Sequence, residues 1–133
     1  MVDDIRWKQR FSNYQKAFKE LSEAVDRGVY DKLSQAGLIQ MFELTFELAW
    51  KTLKEKLESD GLRVQSPRDA LKIAFQNGYV QDGRLWMKAL EDRNSLAHTY
   101  DEAKSNEARD LIRNEYFRIL KDLYEALKKE AVG

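Results

Sequence analysis

With 133 residues, 43% of them hydrophobic and 35% charged, and with one proline and six glycines, the chain has the balance of a single helical globular domain over residues 1–133, not that of a disordered or fibrous protein. Its 23 basic and 23 acidic side chains cancel, so no overall field draws it to nucleic acid or to an anionic membrane, and any phosphate contact has to be local. The absence of cysteine and the single histidine exclude disulfides, thiol chemistry and an ordinary zinc site, so no metal and no cofactor are expected.

The start, "MVDDIRWKQRF", is charged where a signal peptide is apolar, and no run approaches the ~18 apolar residues of a membrane span, so a soluble, cytoplasmic protein is expected. Trp7, Phe11, Tyr14, Phe18, Leu21 and Val25 recur at alternating steps of four and three, which predicts a first helix ending near Gly28 with one continuous apolar seam. "GLIQMFELTFELAWKTLKEKLESDG", residues 37–61, predicts a second, central helix on Ile39, Phe42, Phe46, Ala49, Trp50, Leu53 and Leu57, closed by Gly61. Its polar strip, Glu43, Glu47, Lys51 and Lys54, reads as a solvated face with i,i+4 pairs, the alternative being part of a functional groove.

"SPRDALKIAFQNG" predicts a short helix with Ser66 as N-cap, Pro67 in the first turn, Asp69 at the positive end and Gly78 after the last turn. "DGRLWMKALEDRNSLAHTY" carries Leu85, Trp86, Ala89, Leu90, Leu96 and Ala97 at helical spacing and predicts a fourth helix. From Asp101 a last helix presents Ile112, Tyr116, Ile119, Leu123 and Leu127 on one face. Four long helices and one short one, joined by short connections, predict an all-α, up-and-down antiparallel bundle, with no strand pattern, repeat or phosphate-binding glycine loop.

The unusual chemistry is concentrated in "EDRNSLAHTY", residues 91–100. In a straight helix Arg93 and Tyr100 share a face, whereas Arg93 and His98 are about 140° apart around the axis. They converge only if the helix loosens near His98, or if two copies of the chain meet across a two-fold axis and complete each other's sites. A guanidinium that grips phosphate beside an imidazole that moves protons near neutral pH is a sufficient minimum for cleaving RNA without a metal. His98 would take the 2′-hydroxyl proton, Arg93 would hold the charge growing on the phosphate, and Asn94 would orient either one. The plain alternative pairs Arg93 with Glu91 or Asp92 and leaves His98 as a satisfied residue near a helix end.

"RNSLAHTY" resembles the Arg-x4-His-x-Tyr signature of the HEPN superfamily, with Asn94 in the polar position after the arginine. Together with residues 37–61 and "SPRDALKIAF", in this order and spacing, it resembles the nucleotidyltransferase substrate-binding family over about residues 5–128. The resemblance implies a helical bundle that forms a homodimer, or a higher even oligomer, with the two Arg-x4-His motifs facing each other. It also implies a separate minimal nucleotidyltransferase as partner, since this chain has no Gly-Ser followed by an Asp-x-Asp pair.

Two functions follow from the resemblance. In one the chain is a toxin, a metal-independent ribonuclease with Arg93 and His98 catalytic and Asn94 in support, and the partner transferase neutralises it by placing AMP on Tyr100. In the other it is a noncatalytic subunit that binds the transferase and presents its substrate, with Arg93 and His98 binding a phosphate without breaking it. Trp50, Trp86 and the tyrosines would line a groove in the second case, although at this spacing such residues are ordinarily packed core.

Overall fold

A computed structural model describes residues 2–97 and 101–132, with side chains for 4–96 and 101–132, and over these residues the regular elements are all helices. The predicted order of elements is present: α1 (Val2–Asp26), α2 (Lys32–Ser59), α3 (Pro67–Gln76), α4 (Gly83–Ala97), α5 (Glu102–Leu111) and α6 (Phe117–Val132), the last two joined by a π-helical turn, Ile112–Tyr116. No helix among the described residues is long and apolar enough to cross a membrane.

α1 buries its seam as its spacing demands, with Trp7, Phe11, Tyr14, Phe18 and Leu21 all inside. Gly28, at φ +76°, takes the left-handed conformation that lets the chain leave α1 without strain. The start of α2 differs from the sequence expectation, which places it at Gly37. The helix begins five residues earlier because Asp31 and Ser34 form a reciprocal cap: the Asp31 carboxylate accepts from the Ser34 amide at 2.7 Å, and the Ser34 hydroxyl accepts from the Asp31 amide at 3.0 Å. Gly37 is therefore an interior helical residue, and a Cβ there would meet nothing within 4 Å. α3 forms as its local chemistry predicts, with the Ser66 hydroxyl accepting from the Asp69 amide at 3.0 Å, Pro67 in the first turn and Gly78 at φ +80° beyond the end.

The core sits where α1, α2 and the C-terminal helices meet. Phe18 stacks on Phe117 and Tyr124, with ring centroids 5.3 and 4.8 Å away, which glues α1 to α6. Tyr14 donates its buried hydroxyl to the Leu120 carbonyl, and burial holds that phenol well above its ordinary value. On the other side of α2, Phe42 stacks on Tyr116 at 5.4 Å and Phe46 packs on Trp86 at 5.6 Å, so α2 is gripped by the π turn and by α4. Near the C-terminal end of α2, the Lys56 ammonium is buried against the faces of Trp7 and Tyr79 and bonded to Asp60 at 2.7 Å. Tyr79 donates to the other oxygen of Asp60 at 2.8 Å, which ties the connections on both sides of α3 to α2.

The sequence predicts a last helix that is continuous from Asp101. Its axis does continue, because Leu111 and Phe117 on either side of the interruption both keep right-handed helical angles. Within it, five residues adopt the wider π form, which inserts one extra residue into the turn. Ile112 and Tyr116, both on the predicted apolar face, are completely buried there.

Candidate functional site

The site is built on the last two turns of α4. Asp82 caps the start of this helix by accepting from the Leu85 amide at 3.2 Å, and Trp86 and Ala89 are buried on the side that meets Phe46 of α2. Six residues beyond Trp86, Asp92 accepts a 2.6 Å hydrogen bond from the hydroxyl of Tyr116, the last residue of the π turn. Burial first, and the neighbouring Asp92 carboxylate second, push the Tyr116 phenol well above its usual value, so it is a donor throughout the physiological range.

Arg93 points to a different neighbour. Its Nε lies 3.1 Å from Oε1 of Glu47 on α2, and the other oxygen of Glu47 accepts from the Trp50 indole at 2.8 Å. The two side chains are 19% and 33% exposed, so this is a half-buried ion pair. The Nε–H vector is bent away from the carboxylate, so the attraction is one of charge at short range without a well-aligned hydrogen bond. Nη1 of Arg93 is also buried and has no hydrogen-bond partner among the described residues. The guanidinium is thus kept beside Glu47 by charge, and its buried Nη1 keeps unused donor capacity.

Asn94 is exposed on the next position of α4. His98 and Tyr100 lie outside the described residues, and so does the expected convergence of Arg93 with His98. Asp101 caps α5 by accepting from the amides of Ala103 and Lys104 at 2.8 and 3.2 Å. Just beyond, Gln35 of α2 donates to Ser105 and Asn106 at 2.8 and 2.9 Å and accepts from Arg109 at 3.0 Å. α2 is thus contacted by described residues before and after positions 98–100, through Glu47 with Arg93 and through Gln35 with Ser105, Asn106 and Arg109.

Two expectations are corrected by these pairings. The plain alternative for Arg93 is a partner on its own helix, yet Glu91 lies 3.5 Å from Arg68 and Asp92 is taken by Tyr116, so the arginine reaches across to α2 instead. The polar strip of α2 is expected to be a solvated face with i,i+4 pairs rather than part of a functional groove. Glu43, Glu47, Lys51 and Lys54 are all partly buried, and Glu47 faces Trp50 and Arg93. The residues overlooked in the sequence are Glu47 and Tyr116, and the one local hint is the indole three positions after Glu47, within reach on one helical face. Trp86 is core as expected, whereas Trp50 is only partly buried and serves as a donor. Among the described residues, no group of three or more histidine, aspartate or glutamate side chains could hold a metal ion.

The model of a family described as "Nucleotidyltransferase substrate binding protein like" matches residues 9–129. A curated Haemophilus influenzae protein named "Probable ribonuclease HepT" is 33% identical over 75 residues, which is 53% of this chain and 51% of that protein. The chain thus spans about half the length of that relative. A crystal structure from Thermus thermophilus, 30% identical in sequence, superposes with a TM-score of 0.77 over 86% of this chain and 98% of the other. The family match over nearly all of the helical framework, and the motif residues at the end of α4, place this chain in the nucleotidyltransferase substrate-binding family of HEPN proteins.

Proposed function

We propose that this chain is the toxin of a toxin and antitoxin pair, a metal-independent endoribonuclease whose partner is a separate minimal nucleotidyltransferase. The observation that carries the reading is the state of Arg93: half-buried at the end of α4, charge-paired on one edge, with a buried Nη1 that has no hydrogen-bond partner among the described residues. The name of the Haemophilus influenzae relative supports it, as does the family match.

In this reading residues 1–133 fold as one domain, its four long helices run up and down around the core, and two copies pair as a cytoplasmic homodimer with their motifs facing. The Arg93 fork binds the two non-bridging oxygens of an RNA phosphate. The His98 imidazole takes the proton of the adjacent 2′-hydroxyl, whose oxygen attacks phosphorus as the bond to the 5′-oxygen breaks. The 5′-oxygen leaves with a proton, the products are a 2′,3′-cyclic phosphate and a 5′-hydroxyl, and no metal is required. Arg93 is matched to the extra negative charge of the pentacoordinate phosphorus, and exposed Asn94 supplies a further donor. Neutralisation follows when the partner transferase directs the Tyr100 phenol oxygen onto the α-phosphorus of ATP, releasing pyrophosphate. The added AMP carries a phosphate into the arginine's own anion site.

A second reading, a noncatalytic subunit that binds the transferase and presents its substrate, is favoured by the description attached to the matching family. One experiment separates the two. Purified protein is incubated with RNA in EDTA, and its intact mass is measured with and without the partner. Cleavage that disappears in Arg93→Ala and His98→Ala, with an AMP mass gain that disappears in Tyr100→Phe, supports the toxin. RNA left whole by a folded dimer that stimulates the transferase supports the presenting subunit.

A further inference from the structure

From the contacts of the site we infer that Glu47, braced by Trp50, is a positioning residue: its charge holds the Arg93 guanidinium at short range and so sets the direction in which the arginine meets a phosphate. This rests on the ribonuclease reading for its purpose, but the clamp itself stands on geometry. The carboxylate belongs to α2 and the arginine to α4, so the pair is not an incidental neighbour interaction along one helix. Both carboxylate oxygens are engaged, Oε1 toward Arg93 at 3.1 Å and Oε2 by the Trp50 indole at 2.8 Å. The indole restrains the carboxylate, and the carboxylate's charge in turn restrains the guanidinium.

An unrestrained arginine loses several rotatable bonds each time it captures a phosphate, whereas a braced one has already lost them. Glu47 also carries a cost, because its negative charge lies beside the place where a phosphate would bind. The two effects have opposite signs. If Glu47 contributed only charge, its removal would tighten RNA binding. If it positions Arg93, its removal weakens both RNA binding and turnover.

The test uses the full chain and the variants E47A, E47Q, W50F and R93A, each first checked for an unchanged helical spectrum and cooperative melting. Binding is followed by anisotropy with a labelled 2′-O-methyl RNA, which cannot be cleaved, and turnover with the matching unmodified RNA. In parallel, the Arg93 Nε–H proton and nitrogen resonance, assigned by its loss in R93A, reports the clamp directly. The expected order of affinity and turnover is wild type, then E47Q, then E47A, with E47A down by about tenfold or more and the Nε–H resonance exchange-broadened in it. W50F, which keeps an aromatic ring and loses the donor, should shift that resonance and fall between E47Q and wild type. Tighter RNA binding by E47A and E47Q, or an unmoved resonance, overturns the inference. Wild-type protein that neither binds nor cuts RNA overturns the ribonuclease reading instead, and the resonance then decides the clamp alone.

Discussion

Tyr116→Phe tests the brace between α4 and the π turn. The substitution removes one hydroxyl from a completely buried residue and leaves its ring stacked on Phe42, so packing is conserved while the 2.6 Å bond to Asp92 is lost. A hydrogen bond to an ionised group contributes about 1.5–3 kcal/mol, and Asp92 can regain some water, so a loss of about 1–2 kcal/mol is expected. For a chain of this length the unfolding entropy is about 0.28 kcal/mol/K, from about 2.1 cal/mol/K per residue, which converts that loss to a fall of about 4–7 °C in Tm. The pH dependence carries a definite sign. The folded state raises the Tyr116 phenol well above its ordinary 10.0, so the stability gained from keeping that proton is complete below pH 10 and is lost as the pH rises beyond it. Thermal melts of wild type and variant from pH 7 to about 11 should therefore converge as the solution becomes alkaline. A variant within about 0.5 kcal/mol of wild type at pH 7, or a gap that widens above pH 10, would refute the reasoning.

Three further outcomes follow from the same structure. Gly37→Ala should raise stability by about 0.5–1 kcal/mol, since the glycine is helical, its Cβ would meet nothing within 4 Å, and alanine narrows the unfolded ensemble; chemical denaturation checks the midpoint. Trp86→Ala should cost about 3–5 kcal/mol by opening a cavity against Phe46, and the same titration would show the unfolding midpoint lowered with it. Lys56→Met should flatten the alkaline limb of the stability profile. Burial pulls the Lys56 ammonium down, but its bonds to Asp60 and Tyr79 outweigh this and raise it above 10.5, so its contribution is present below pH 10.5 and lost on the alkaline side.

The elements most legible in the sequence are those specified by neighbouring residues. α3 is such a case: Ser66, Pro67, Asp69 and Gly78 each satisfy a need of one helix end, and the helix forms between them. The start of α2 is misplaced in the sequence reading because an interior glycine resembles a boundary, while the Asp31 and Ser34 cap that sets the true start leaves only a short polar signature. The π turn leaves none. Ile112, Tyr116 and Ile119 are spaced as they would be on an α-helix, and the choice between the two turns is made by tertiary packing. The site divides along the same line. Arg93 and Asn94 stand out because the signature is contiguous, whereas Glu47 and Tyr116 reach it from other helices, where no local pattern announces them.

What these long-range partners determine is the rotation of α4. Successive residues on a helix point about 100° apart, so Asp92 and Arg93 look toward different neighbours. Asp92 finds Tyr116 of the π turn and Arg93 finds Glu47 of α2, while Trp86 packs on Phe46. Turning α4 by one residue would break both polar contacts at once and withdraw the indole from the core. Packing alone sets that rotation loosely, because leucine and alanine on the apolar face tolerate small adjustments. The two polar contacts set it more narrowly: the Tyr116–Asp92 hydrogen bond weakens within a few tenths of an ångström, and the Glu47–Arg93 attraction falls as the charges separate. Half-buried ion pairs add little net stability once desolvation is counted, so the Glu47 pair is better explained by the direction it imposes than by the energy it contributes. A Glu47→Leu, Arg93→Leu double variant should therefore keep the fold and the α4 packing while losing any phosphate recognition, which circular dichroism and RNA anisotropy would check together.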